Sequence, residues 1–459
     1  MKLFGTDGIR GKVNRHPMVP EKVLRVGMAT AHVLTNNIAG NHGRQMVLIG
    51  KDTRLSGYMI ESALTSGLCS MGMNVTLVGP IPTPGISFLT RALRLDAGIV
   101  ISASHNPFED NGIKIFSYDG FKLSDDLEKE IERLVADEGF PPKRIAGDKI
   151  GKALRLDDAT GRYIEYVKST IPRGIDLEGL KIVVDSANGA AYKVTPRLLE
   201  ELGAEVVSIN DNPDGININK NCGSLHLEHL AKIAKETGAH IGIAHDGDAD
   251  RTLFVDEKGN VVDGDLVLGI WAVELNREGR LKGNAVVATA MSNLGLEKYL
   301  SARGIKLIRT KVGDRYVVEE LRKGGYNLGG EQSGHIIFFD YNTTGDGPIT
   351  ALQVLYLMRK KNRLLSELAG SIELYPQVLI NVEISGQKFL QKNDFKNHPE
   401  ITKTIDALTR KLGNRGRILV RPSGTEPKIR VMVEADDSEM AKTVAEDIAE
   451  AIRKKLGSS

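Results

Sequence analysis

Val47-Leu48-Ile49-Gly50-Lys51-Asp52-Thr53 is a short β-branched apolar run that passes directly into a polar, glycine-bearing loop, the signature of a buried strand feeding a turn. Two later stretches repeat it: Ile182-Val183-Val184 with Asp185-Ser186-Ala187-Asn188-Gly189, and Val286-Val287-Ala288 with Ala290-Met291-Ser292-Asn293. About 40 to 60 residues beyond each opening strand a second polar loop closes the unit, which leaves room for helices between. The closing loops are Ser102-Ala103-Ser104-His105-Asn106-Pro107, His245-Asp246-Gly247-Asp248-Ala249-Asp250-Arg251 and Gly330-Glu331-Gln332-Ser333-Gly334-His335. The rhythm predicts an α/β protein with three copies of one domain. Because the repeat is of pattern and not of identity, one large doubly wound sheet is the competing arrangement.

Past residue 370 the pattern changes to a strand at Val378–Ile384, a helix over 398–412, strands at Gly416–Val420 and Lys428–Glu434, and a helix from Ser438 to Lys455. That order predicts a small antiparallel α+β domain. Boundaries near 155, 257 and 370 give domains 1–155, 156–257, 258–370 and 371–459. The 459 residues carry 61 Lys and Arg against 59 Asp and Glu, so no chain-wide field exists to hold nucleic acid or an anionic membrane. Two cysteines, Cys69 and Cys222, exclude a disulfide framework and suit a reducing compartment. With no signal-like start and no apolar run of membrane-spanning length, the expected location is cytoplasmic.

Chemistry is expected in the closing loops, at the strand ends where open α/β sheets bind ligands. Asn106-Pro107 stops a helix from continuing and presents Ser104 on a constrained turn. Adjacent Ser104 and His105 are poorly disposed to hydrogen-bond through their side chains, and no G-x-S-x-G elbow is present, so the serine needs another activator. Asp246, Asp248 and Asp250 alternate through one turn; three anions this close call for a hard divalent cation, with coordination positions left for a phosphate. An EF-hand fails because Arg251 stands where glycine is needed and the flanks read as strands. Aspartyl-phosphate chemistry at Asp248-Ala249-Asp250-Arg251-Thr252 is weakened by the extra Asp246. The third loop offers donors and acceptors suited to sugar hydroxyls. Arg421-Pro422-Ser423-Gly424-Thr425, with Arg430 on the next strand, has the composition of an anion nest.

These loops, in this order, together with Phe4-Gly5-Thr6-Asp7-Gly8-Ile9-Arg10-Gly11, resemble the α-D-phosphohexomutase superfamily, and within it the bacterial phosphoglucosamine mutases, over essentially the whole chain. The resemblance implies a heart-shaped, four-domain enzyme with one loop per domain lining a central cleft. It implies a phosphorylated Ser104, one Mg²⁺ per chain on Asp246, Asp248, Asp250 and the Ser104 phosphate, and catalytic roles for Arg10, Lys114 and His105. Arg251, Glu331, Ser333 and His335 become substrate contacts, and Arg421, Ser423, Gly424, Thr425 and Arg430 phosphate contacts. The implied reaction interconverts glucosamine 6-phosphate and glucosamine 1-phosphate through glucosamine 1,6-bisphosphate, feeding UDP-N-acetylglucosamine and cell-wall synthesis. Phosphomannomutase/phosphoglucomutase activity is the alternative, although Gln332 and the stretch Pro213–Asn219 match the phosphoglucosamine mutases. A phosphosugar sensor that had lost catalysis would have lost Ser104 or an aspartate, and all are present. The implied partner is a phosphorylated amino sugar, and the resemblance leaves room for a homodimer.

Overall fold

Three mixed sheets and one antiparallel sheet make up the fold, which is known here from a computed structural model that describes residues 3–5, 7–37, 45–141, 145–384, 398–423 and 428–456. The first sheet contains β1 (Phe4–Gly5), β2 (Gly8–Lys12), β3 (Met46–Lys51), β4 (Asn74–Pro80), β5 (Ala97–Ile101), β6 (Asp110–Ser117) and β7 (Ala153–Arg155), in the order β7-β4-β3-β5-β6-β2-β1. The second contains β8 (Lys181–Asp185), β9 (Glu205–Ile209), β10 (Ile241–His245), β11 (Thr252–Asp256) and β12 (Val261–Val262), ordered β9-β8-β10-β11-β12. The third contains β13 (Ala285–Thr289), β14 (Lys306–Thr310), β15 (Leu328–Gly330) and β16 (Ile336–Phe338), ordered β14-β13-β15-β16.

Each sheet contains the same four-strand core. The opening strand lies between the second and third strands, and the fourth runs antiparallel beside the third: β4-β3-β5-β6, β9-β8-β10-β11 and β14-β13-β15-β16. The competing single sheet is thereby excluded. In every copy the turn from third to fourth strand is one of the closing loops, so repeated topology brings residues 102–109, 246–251 and 331–335 to equivalent sheet ends.

Burial explains the apolar runs. Val47, Leu48, Ile49, Ile99, Val100 and Ile101 are essentially inaccessible, as expected of inner strands covered on both faces. Helices Pro20–Asn37 and Ser56–Cys69 contribute Val26, Val33, Ile60, Leu64 and Leu68 to the core that also holds Val47, Ile49, Ile99 and Ile101, each worth roughly 1.5–3 kcal/mol of burial.

The chain divides into two compact units, Met1–Thr289 with Ile308–Gly370, and Ala290–Leu307 with Ser371–Ser459. The second unit holds the sheet of β17 (Gln377–Glu383), β18 (Gly416–Pro422) and β19 (Lys428–Ala435), ordered β17-β19-β18 and antiparallel throughout. Helices Pro399–Leu412 and Ser438–Leu456 pack on it through Ile401, Leu412, Val444, Ile448 and Ile452. Within this unit the fully buried Glu434 is neutralised by Arg417 at 2.5 Å, and Arg417 also donates to the carbonyls of Ala290 and Ser292. No helix among the described residues is long and apolar enough to cross a membrane.

Candidate active site

The turn after β5 carries Ser104 in the left-handed region, φ 53°, with its side chain 1% exposed. That backbone turns Oγ onto Asp246 Oδ2, to which it donates at 2.5 Å. The same twist brings His105 Nδ1 to 3.3 Å from Oγ, so the expectation that these neighbours would not meet is corrected. It assumed ordinary extended geometry, in which adjacent side chains diverge. Burial, then Arg251 and Arg10, press the His105 imidazole down to about 4, so it is neutral at pH 7. The Ser104 N–H donates to Ser102 Oγ at 2.9 Å, and Ser102 donates to Asp52 at 2.5 Å.

Asp246, Asp248 and Asp250 lie on the turn from β10 to β11, all buried, each offering an oxygen within 4.8 Å of the others. Burial, and then Asp250 and Asp248, push the Asp246 carboxyl well above its usual range, as clustered like charges require. Lys114 Nζ, on β6, stands 2.9 Å from Asp248 Oδ2, 3.3 Å from Asp250 Oδ2 and 3.2 Å from Asp7 Oδ2. Burial opposes charge on Lys114, but Asp248, Asp7 and Asp250 outweigh it and raise its pKa well above the usual value. For Asp250 burial is likewise overcome, by Lys114, His335 and Arg251, and its carboxyl is held low. Thr83 Oγ1 donates to the same Asp248 Oδ2 at 2.7 Å. Oδ1 of Asp248 and Oδ1 of Asp250 are buried without a hydrogen-bond partner. Two orphaned hard oxygens in a cluster of three converging carboxylates fit a divalent cation.

Gly247 is obligatory here: a Cβ would lie 2.6 Å from the Ser104 carbonyl oxygen, so only glycine lets the two loops approach. Asp7 joins the site through Lys114 and through ion pairs with Arg10 and Lys122, and Lys122 pairs in turn with Asp314.

The turn from β15 to β16 is interlocked with the metal loop, since Thr252 N–H donates to the Gly334 carbonyl at 3.0 Å. Glu331 Oε1 accepts from Gly313 N–H at 3.2 Å and Ser333 is half-buried beside it. Gln332 donates its amide to Asp263 at 3.2 Å. His335 is 2% exposed and faces inward: Nε2 accepts from Gly345 N–H at 3.0 Å, and Nδ1 stands 3.7 Å from Asp250 Oδ1. Asp250 and Asp314 draw its pKa up against burial, yet the Gly345 bond occupies Nε2 as an acceptor, so the neutral tautomer carries its proton on Nδ1. Arg251 Nε is 3.8 Å from Asp250, and its main-chain N–H donates to Asp246 at 3.3 Å.

The fourth loop belongs to the second unit. Arg421 on β18 stands directly opposite Arg430 on β19, so the two guanidinium-bearing residues share one place in the ladder. Ser423 is 2% exposed, and its N–H donates to the Lys428 carbonyl at 2.8 Å. Gly424 and Thr425 lie outside the described residues.

The phosphoglucomutase/phosphomannomutase family matches the chain in four parts: α/β/α domain I over residues 1–141, domain II over 161–259, domain III over 263–375 and the C-terminal domain over 379–451. A phosphoglucosamine mutase from Thermodesulfovibrio yellowstonii is 59% identical over 450 residues, spanning 98% of each chain. The chain belongs to the phosphoglucosamine mutase family, among the phosphohexomutases. Another phosphoglucosamine mutase, from Myxococcus xanthus, is 54% identical over 455 residues, covering 99% of this chain and 97% of that one. Among solved structures, a phosphoglucomutase/phosphomannomutase family protein from Burkholderia thailandensis is similar at a TM-score of 0.80 and 26% identity, covering 99% of this chain and 97% of that chain. Phosphoglucosamine mutases are isomerases that move a phosphoryl group within the substrate; the family uses a metal ion, and the buried aspartate triad could bind one.

Arg54, Asp52, Asn219, Thr83 and Asp314 support this site but were not singled out from the sequence as site residues. Asp52 and Asn219 stood inside quoted stretches, and Asp7 inside the N-terminal motif, with no signal marking them for these contacts.

Proposed function

We propose that the chain interconverts glucosamine 6-phosphate and glucosamine 1-phosphate through a phosphorylated Ser104. The observation that carries this reading is the 2.5 Å bond from Ser104 Oγ into a buried aspartate triad. Asp246, Asp248 and Asp250, with phosphorylated Ser104, would hold one Mg²⁺, which when bound would supply positive charge to the transferring group.

The first half-reaction breaks the bond between phosphorus and Ser104 Oγ and makes one to the C1 hydroxyl oxygen of glucosamine 6-phosphate. The proton released from the C1 hydroxyl is the one returned to Oγ, giving glucosamine 1,6-bisphosphate. The bisphosphate then turns over in the site. Ser104 Oγ attacks the 6-phosphoryl group as the bond between phosphorus and O6 breaks, its proton passing by way of neutral His105 Nδ1 to O6, and glucosamine 1-phosphate leaves. Lys114 and Arg10 neutralise charge during both steps. Glu331 and Ser333 hold sugar hydroxyls, and Arg251 balances charge beside the triad. His335, facing Asp250, positions that carboxylate. Arg421, Ser423, Gly424, Thr425 and Arg430 hold whichever phosphate is not reacting.

The test compares kcat/KM for glucosamine, glucose and mannose 6-phosphates, with phosphopeptide mapping of the working enzyme. Glucosamine 6-phosphate is expected to be the best of the three and Ser104 to carry the phosphate. A tenfold preference for mannose 6-phosphate, or phosphate on an aspartate, would overturn the reading.

A further inference from the structure

The side chains that fix the Ser104 turn come from elements with no reacting group of their own. Arg54, in the loop after β3, is 0% exposed and uses four of its N–H donors. Nε donates to Asp52 at 2.8 Å, Nη2 to the carbonyls of Ser104 at 2.9 Å and Asn106 at 2.8 Å, and Nη1 to the carbonyl of Pro107. From the second sheet's domain, Asn219 Nδ2 donates to the same two carbonyls, Ser104 at 2.9 Å and Asn106 at 3.0 Å. Asp52, paired with Arg54, also accepts from Ser102 Oγ, which accepts the Ser104 N–H. The Ser104 peptide is thus held at both ends by one buried ion pair and capped by an amide from the neighbouring domain.

We propose that Arg54, Asp52 and Asn219 form a clamp that positions the phosphate-carrying serine, an inference that rests on the reading of Ser104 as that carrier. A residue with a Cβ at φ 53° is disfavoured and relaxes unless its surroundings fix it. Here Arg54 and Asn219 hold the carbonyls of the turn and Ser102, tied to Asp52, holds the Ser104 N–H, while Oγ is directed onto Asp246. Only a planar guanidinium can span three carbonyls and a carboxylate at once; a lysine ammonium is a single point. The clamp bonds the main chain of the turn and the Ser102 hydroxyl, so its loss changes where Oγ sits without removing any group assigned to metal or sugar.

The experiment uses the full chain with Mg²⁺ and glucosamine 1,6-bisphosphate, following phosphoryl transfer to Ser104 in a single turnover by peptide mass, in Asn219→Ala, Ser102→Ala and Arg54→Lys. Transfer and kcat are expected to fall together by about 10- to 100-fold, as for a misplaced reacting atom, while KM and the Mg²⁺ activation constant change less than about twofold. The melting temperature of Asn219→Ala is expected to stay near that of the unsubstituted chain, since Asn219 is half-buried in a surface loop. If Arg54→Lys fails to fold, the other two variants carry the test. Unchanged transfer in folded Asn219→Ala and Ser102→Ala, or a raised KM with kcat intact, would overturn the clamp. Absence of phosphate on Ser104 in the unsubstituted enzyme would instead sink the carrier reading, and the clamp with it.

Discussion

The turn after β5 and the turn after β10 occupy the same place in two copies of one sheet, and each has a non-glycine residue in the left-handed region, Ser104 and Ala249, both at φ 53°. They are held differently. In the metal loop three consecutive carbonyls accept from main-chain N–H groups of three separate segments: Gly247 from Ala190 at 2.8 Å, Asp248 from Thr83 at 2.9 Å and Ala249 from Gly347 at 3.0 Å. In the serine loop the carbonyls of Ser104 and Asn106 accept from the side chains of Arg54 and Asn219. Backbone donors survive almost any substitution, whereas side-chain donors vanish with one. A loop that must keep three carboxylates converged is therefore insulated from mutation, and the loop carrying Ser104 depends on a few remote residues.

The comparison can be broken most severely at its centre. Ser104→Ala removes the proposed phosphate carrier and is expected to lower turnover by at least about 10³-fold, measured as glucosamine 6-phosphate conversion. Chelation of Mg²⁺ is expected to abolish activity, and its return to restore it. Arg421→Ala, in the other unit, is expected to cost about 10- to 150-fold in kcat/KM in both directions of the reaction with metal affinity unchanged. Impairment in one direction alone would separate the two phosphate-holding steps.

Thr83→Val sharpens the contrast, because it keeps the main-chain bond to Asp248 and removes only the hydroxyl on Oδ2. Mg²⁺ activation is expected to weaken about tenfold while turnover at saturating Mg²⁺ is retained. The remaining effect is on stability and leaves the chemistry aside. Burial lowers the His245 pKa to about 4 from 6.5, so the unfolded chain takes up a proton that the folded chain refuses. Stability is full above pH 6.5 and declines by roughly 3 kcal/mol as pH falls toward 4. His245→Gln is expected to flatten that slope in chemical denaturation; an unchanged slope would assign it to other groups, His105 first.

Strands and loops were legible because burial on both faces leaves unbroken Val and Ile runs, and because the metal loop concentrates three like charges in five residues, which few solvated turns do. The sheet division was legible only as a repeat of pattern, and topology made it definite. The clamp was not legible. Arg54 lies 50 positions from Ser104, Asn219 115 positions away, and Thr83 165 positions from Asp248, and single polar residues in loops carry no periodicity to mark their partners. The Ser104–His105 contact was misjudged because it depends on one backbone angle that composition does not reveal, and the inward orientation of His335 depends on Gly345, which only the fold brings to it.

The central claim is that Ser104, aimed at the aspartate triad, carries the phosphate. It is tested most directly by incubating the enzyme with glucosamine 1,6-bisphosphate and Mg²⁺ and mapping phosphate by peptide mass spectrometry. The expected result is an acid-stable phosphoryl group on Ser104 that disappears when glucosamine 6-phosphate is added. A hydroxylamine-labile phosphate on Asp248, or a turning-over enzyme with no phosphate on Ser104, would contradict it.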